Sequence, residues 1–135
     1  MLFDFKSGVS VFALSALLVS PAMAVADVYV IANSGVQIGA GDVREVFLGN
    51  MQFAGGAKVQ PVDNGPAQVE FLSKVLKMEP DRYNTAWTKK TFRDGVNAPS
   101  VKSGDAEVVE FVKRTPGAVG YVTSAPSGVT VIQKY

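Results

Sequence analysis

Apolar positions from residue 28 onward recur in short periodic segments, and turn residues separate these segments. Residues 28–32 are β-branched, aromatic or small and are apolar on both faces, which predicts a strand covered on both sides. Residues 42–48 place Val43, Val46 and Phe47 on one helical face. Residues 58–62 are expected to form a short strand that leads into a loop at 63–65.

Two prolines predict helix starts, because the missing N–H of proline has no partner at a first helical position. After Pro66, an apolar stripe is expected from Val69, Leu72, Val75 and Leu76. After Pro80, Tyr83 and Trp87 lie one turn apart. This aromatic pair could form a stacking platform for a sugar or base, or it could dock an otherwise polar helix on the core.

A last helix is expected over residues 105–114. Its first turn carries Asp105 and Glu107, and its last turn carries Lys113 and Arg114, as the helix dipole favours. Strands are expected at 118–122 and 129–132. The order of elements predicts an α/β fold, a three-layer sandwich with a mixed sheet, although the order of strands within the sheet cannot be derived from it.

The N-terminal residues predict a cleaved signal peptide. An apolar run at 9–19 is too short to span a bilayer, and it precedes Pro21 and two overlapping sites with small residues. Cleavage is therefore expected after residue 24, which removes residues 1–24, or alternatively after residue 26. The other interpretation of the segment is an N-terminal anchor or a buried helix. A single periplasmic domain over 27–135, without membrane insertion, is the expected product.

Composition narrows the possible functions. The chain has 13 basic and 12 acidic residues and a net charge of +1, which argues against nucleic acid as a partner. It contains no cysteine and no histidine, so disulfides, common zinc sites and imidazole-based catalysis are excluded. No metal and no cofactor is expected.

The junction at residues 62–68 is the main candidate binding site. A strand is followed there by a loop and a helix, and such junctions direct free N–H groups toward anions. Asp63, Asn64, Gly65 and Gln68 are the candidate ligand-binding residues, together with Ser34 in the turn that ends the first strand. Asp63 could accept a hydrogen bond from a protonated oxyanion such as hydrogen phosphate. The alternative is an Asx turn that only caps a helix.

Other charged groups have simpler explanations. The basic cluster at residues 89–93 could meet an anionic partner or could be a solvated helix end. The acidic residues Asp105, Glu107 and Glu110 fit exposed and dipole-matched positions of one helix. An enzyme is therefore not expected.

Two segments resemble the periplasmic phosphate-binding proteins of ABC transporters. They are DVREVFLGN at 42–50 and RTPGAVGYV at 114–122. The resemblance implies one lobe of a type-II periplasmic-binding-protein fold, similar to the short single-lobe members. It aligns Asp63 and Gly65 with the anion-gripping loop of the larger proteins, but the arginine and the serine and threonine hydroxyls of that loop are absent here.

The resemblance implies a solute-binding-like module that binds a small oxyanion, phosphate or sulfate, weakly. An ABC permease or a second copy of the chain is a possible partner. The alternative is a ligand-free adaptor in the cell envelope, either monomeric or dimeric.

Overall fold

The computed structural model describes residues 26–135; the predicted signal peptide, residues 1–24, lies outside this part. A five-stranded sheet has the order β5-β4-β6-β1-β7, and a separate hairpin pairs β2 with β3. The strands are β1 (Tyr29–Ala32), β2 (Phe53–Ala54), β3 (Ala57–Lys58), β4 (Gln60–Asn64), β5 (Ser100–Lys102), β6 (Ala118–Val122) and β7 (Thr130–Lys134).

Strand direction decides which loops lie together. β4 runs parallel to both β5 and β6, so the carboxyl ends of these three strands lie at one end of the sheet. β1 runs antiparallel to β6 and to β7, and its carboxyl end therefore lies at the opposite end. The mixed sheet expected from the sequence is confirmed.

Four α-helices connect the strands: α1 (Val43–Phe47), α2 (Gln68–Phe71), α3 (Pro80–Asp94) and α4 (Asp105–Arg114). Short 3₁₀ turns, Ala40–Asp42 and Gly65–Ala67, lead into α1 and α2. The backbone after α2 continues as a π-helical turn, Leu72–Leu76. Pro80 begins α3, and Gly95 ends it in the left-handed conformation, as the sequence rules for helix ends predict.

The core consists of two clusters, one on each face of the sheet. The larger cluster joins α1, the segment around α2, and α3 to one face, and it includes Phe47, Phe71 and Tyr121. The smaller cluster joins α4 to the other face through Val62, Val108 and similar side chains. These two layers of helices around one sheet confirm the three-layer sandwich.

One predicted apolar position is wrong. Val69 was expected on the buried stripe of its helix, but it is 66% exposed, whereas Phe71 is fully buried. The segment changes from 3₁₀ to α to π geometry within twelve residues, so the 3.6-residue period does not hold along it.

β4 also continues two residues beyond its predicted end. Asp63 and Asn64 were expected in a loop, but both lie in the strand and pair with Val101 and Lys102 of β5. The candidate site therefore begins inside the sheet.

Candidate functional site

Asp63 lies under α3 on the aromatic face of the sheet and is only 1% exposed. The Tyr121 hydroxyl donates to its Oδ1 at 2.7 Å, and the Tyr83 hydroxyl donates to its Oδ2 at 2.9 Å. The side chain of Gln68, at the start of α2, lies close enough to lower the pKa of this carboxyl group. The two tyrosine hydrogen bonds join β4, β6 and α3 through the carboxyl group.

Burial dominates the electrostatics of this cluster. It raises the pKa of Asp63, although the hydrogen bonds from Tyr121, Tyr83 and Gln68 act in the opposite direction. Burial and the neighbouring carboxylate also raise the pKa of both tyrosines. The hydroxyls stay protonated at neutral pH, so neither tyrosine is an activated base or nucleophile.

Asn64 points to the opposite face, because successive strand residues alternate. It is fully buried, and its Nδ2 donates to Asp105 Oδ1 at 2.8 Å and to the Tyr121 carbonyl at 3.0 Å. Asp105 also accepts hydrogen bonds from the backbone N–H and the hydroxyl of Thr123. The side chain of Asn64 therefore ties the ends of β4 and β6 to the start of α4, and its Oδ1 has no hydrogen-bond partner.

The remaining two candidates are exposed and lie apart. Gly65 begins the 3₁₀ turn directly after β4. Ser34 follows β1, and the adjacent Asn33 is hydrogen-bonded to carbonyls at the end of α4. Because β1 is antiparallel to β6, Ser34 lies at the other end of the sheet from Asp63, Asn64, Gly65 and Gln68. These four residues lie at one strand-to-helix junction, but only Asp63 and Gln68 line the same groove, while the Asn64 side chain faces the other side of the sheet and Ser34 lies outside.

An open groove of about 640 Å³ lies between α3 and the edge strand β5, and we call it the α3–β5 groove. Asp63 and Gln68 are at its base. The other side chains that line it are Tyr83, Asn84, Trp87, Thr88, Thr91, Phe92, Ala98, Pro99 and Val101. A second cavity, of about 400 Å³, includes none of the five candidate residues.

The α3–β5 groove offers few hydrogen-bond donors. Among the residues that line it, Asp63 is the one charged residue, and no lysine or arginine contributes. The hydroxyls of Thr88 and Thr91 donate to the carbonyls of Asn84 and Val96, so their protons are already used. The neutral amides of Gln68 and Asn84 are the donors that remain, and no cation is present among the lining residues, which suits a dianionic ligand poorly.

The sequence did not reveal the hydrogen-bond partners of Asp63 and Asn64, the two buried polar residues. Tyr83 was expected in the core, and its burial together with Trp87 is confirmed. The hydrogen bonds from Tyr83 and Tyr121 to Asp63 join positions far apart in the chain. The same is true of the hydrogen bonds from Asn64 and Thr123 to Asp105. The one available signal was the position of Asp63 at the end of an apolar strand. A carboxylate buried there requires hydrogen-bond donors from elsewhere in the chain.

Within residues 26–135, no helix has the length and apolar character that a membrane span requires. The aspartate and glutamate side chains of the same residues form no group of three that could hold a metal ion.

Two solved structures have a similar fold. An ABC-type phosphate transport receptor from Vibrio cholerae superposes with a TM-score of 0.58 at 14% identity, covering 82% of this chain and 48% of the receptor. PstS from Borrelia burgdorferi gives 0.52 at 15% identity, covering 72% and 41%. No protein-family model and no curated sequence matches the chain.

The chain thus spans about half the length of the receptors that it resembles. Identity at this level establishes the architecture and leaves the ligand to be argued from the site. The described chain has the fold of one lobe of the phosphate ABC-transporter substrate-binding proteins.

Proposed function

We propose that this protein is a non-enzymatic, periplasmic module with a solute-binding-protein fold that works by contacting another protein at the α3–β5 groove. One observation carries the proposal. The carboxyl group of Asp63 and the Nδ2 group of Asn64 are hydrogen-bonded within the protein, while Phe92 and Val101 in the groove are 93% and 60% exposed.

The engagement of the polar groups argues against anion transport as the main function. Asp63 accepts from two tyrosines, and both Nδ2 hydrogens of Asn64 have acceptors. A ligand that used these atoms would have to break buried hydrogen bonds, which costs about 1–3 kcal/mol for each group left unsatisfied. The exposed aromatic ring and the scarcity of charge are instead typical of the centre of a protein interface.

Weak binding of a small oxyanion is the second candidate. The helical segment that starts at Gly65 follows the carboxyl end of β4, where free N–H groups favour an anion. Pro66 removes one of these donors. A protonated oxyanion such as hydrogen phosphate would fit better than sulfate, because its hydroxyl could donate to an acceptor such as Asp63.

Calorimetric titration with phosphate and with sulfate separates the two functions. Contact with a protein predicts no heat at millimolar anion. Weak oxyanion binding predicts heat with phosphate, less with sulfate, and a changed preference in Asp63→Ala. A micromolar phosphate affinity would contradict the proposed function.

A positive test uses a photocrosslinking amino acid in producing cells. Position 92 is expected to yield a discrete protein adduct, and position 53 serves as the control, because Phe53 is also exposed, at 63%, but lies outside the groove. Equal yields at the two positions, or no adduct at position 92, would count against the groove as a contact surface.

A further inference from the structure

The α3–β5 groove contains both a protruding side chain and a space that could receive one. Phe92, near the end of α3, is the most exposed large apolar residue described, at 93%. It stands at the side of a cavity of about 640 Å³ whose walls include Trp87, Pro99 and Val101. The protruding Phe92 side chain and the cavity are thus parts of one surface patch.

We propose that a second copy of this chain covers the groove in a two-fold symmetric dimer, in which Phe92 of each copy enters the groove of the other. A two-fold interface uses the same patch on both subunits, so the patch must complement itself. The proposal rests on the proposed function, and it names the partner.

Charge supports a second copy as the occupant. A patch of one charge sign repels its copy in a two-fold contact, because like charges then face each other. Among the residues that line the groove, Asp63 is the single charged one, and its carboxyl group is buried beneath Tyr83. Lys89 and Arg93 flank Phe92 on α3, and Arg93 is paired within the chain with Asp94 at 3.0 Å. The net charge of the whole chain is only +1, so long-range repulsion between copies is small.

The sheet edge favours the same contact. β5 is the outermost strand beside the groove, and Val101 in its middle is 60% exposed. Removing this apolar side chain from water would favour a contact at the edge. A two-fold contact through α3 and β5 would cover Val101 and Phe92 together.

Sedimentation velocity on purified protein expressed from the full-length chain tests the oligomeric state. A concentration-dependent dimer is expected, and Phe92→Ser is expected to weaken self-association at least about tenfold, as the loss of a central aromatic does. Phe53→Ser is the matched control and should leave the dimer unchanged. A protein that remains monomeric up to about 1 mM overturns the proposal, as does equal weakening by the two variants.

Cysteine crosslinking gives a second measurement, because the chain has no cysteine of its own. Asn84→Cys lies in the groove, and Ala86→Cys is exposed on the other side of α3. Oxidation should link two Asn84→Cys chains much faster than two Ala86→Cys chains, and equal rates overturn the proposed geometry. If the protein is monomeric and still forms the photocrosslinked adduct at position 92, the second copy is wrong as the partner, but the proposed function stands. Micromolar phosphate binding overturns the proposed function itself.

Discussion

On one side of the sheet, α4 packs through small and β-branched side chains, whereas the side under α1 to α3 contains large aromatic rings around a buried carboxylate. On the α4 side, a Cβ placed on Gly120 would lie 2.7 Å from Val108 Cγ1, so helix and strand are as close as glycine allows. On the aromatic side, Phe71 stacks on Tyr121 with ring centroids 3.8 Å apart, and the Tyr121 hydroxyl reaches Asp63.

This difference shows where the fold can support a function. Under α4, the contact at Gly120 holds the helix close against the strand. On the aromatic side, the α3–β5 groove opens between α3 and the edge of the sheet, beside the buried carboxyl group. Three changes test how far the two sides really differ.

The largest effect is expected on the aromatic side, from Phe71→Ala. Phe71 is fully buried, and its ring contacts both Tyr121 and Phe47, so its removal leaves a large cavity. Such substitutions cost about 3–5 kcal/mol of the free energy of unfolding. Urea denaturation measures the loss, and Phe53→Ala, on the exposed hairpin, should change it by less than about 0.5 kcal/mol. A loss below about 1 kcal/mol for Phe71→Ala would mean that this side is loosely packed.

A smaller loss is expected on the α4 side, from Gly120→Ala. The added methyl group would also lie 3.3 Å from Val62 and 3.4 Å from Val112, so α4 must shift. Overpacking of this kind costs about 1–3 kcal/mol. Gly39→Ala is the control, because no atom lies within 4 Å of its Cβ position. If the two variants were equally stable, close packing would not distinguish the α4 side.

The smallest effect is expected in the pH dependence of stability, from Asp63→Asn. Burial raises the pKa of Asp63 above its ordinary value of 3.8, so the folded state binds this proton more tightly than the unfolded state. The resulting stabilisation is complete below the pKa that Asp63 has in the unfolded state. It is lost as the pH rises through the pKa that Asp63 has in the folded state. Wild type should therefore lose stability relative to Asp63→Asn from about pH 4 upward.

Urea midpoints measured between pH 3 and pH 8 test this expectation. The difference between variant and wild type should grow in favour of Asp63→Asn across that window. Glu110→Gln, which removes an exposed carboxylate on α4, provides the matched control and should show no such trend. A difference that stays constant with pH would mean that Asp63 has the same pKa in both states.

Much of the architecture was predictable because its signals are local. Pro80, the aromatic pair Tyr83 and Trp87, and the left-handed glycine after the helix specify α3 without reference to the rest of the chain. The charges at the two ends of α4 act within one turn of the backbone that they stabilise. The apolar pattern likewise placed β1 and β6 in the sheet.

The candidate site was predictable only in part. The sequence indicated a strand-to-helix junction at residues 62–68, and the structure places one at the end of β4. It could not show that Tyr83 and Tyr121, which are 20 and 58 positions from Asp63, donate to the carboxyl group. It also could not show that Ser34 lies at the other end of the sheet, since that depends on the antiparallel direction of β1.

The sequence by itself determined where helices and strands form, because periodicity, prolines, glycines and end charges act over a few residues. Tertiary structure alone decided that Asp63 is buried between two tyrosines, that Val69 faces solvent, and that Phe92 stands beside an open groove. Each of these depends on how β4, β6 and α3 meet, and the strand order that brings them together is a property of the assembled sheet.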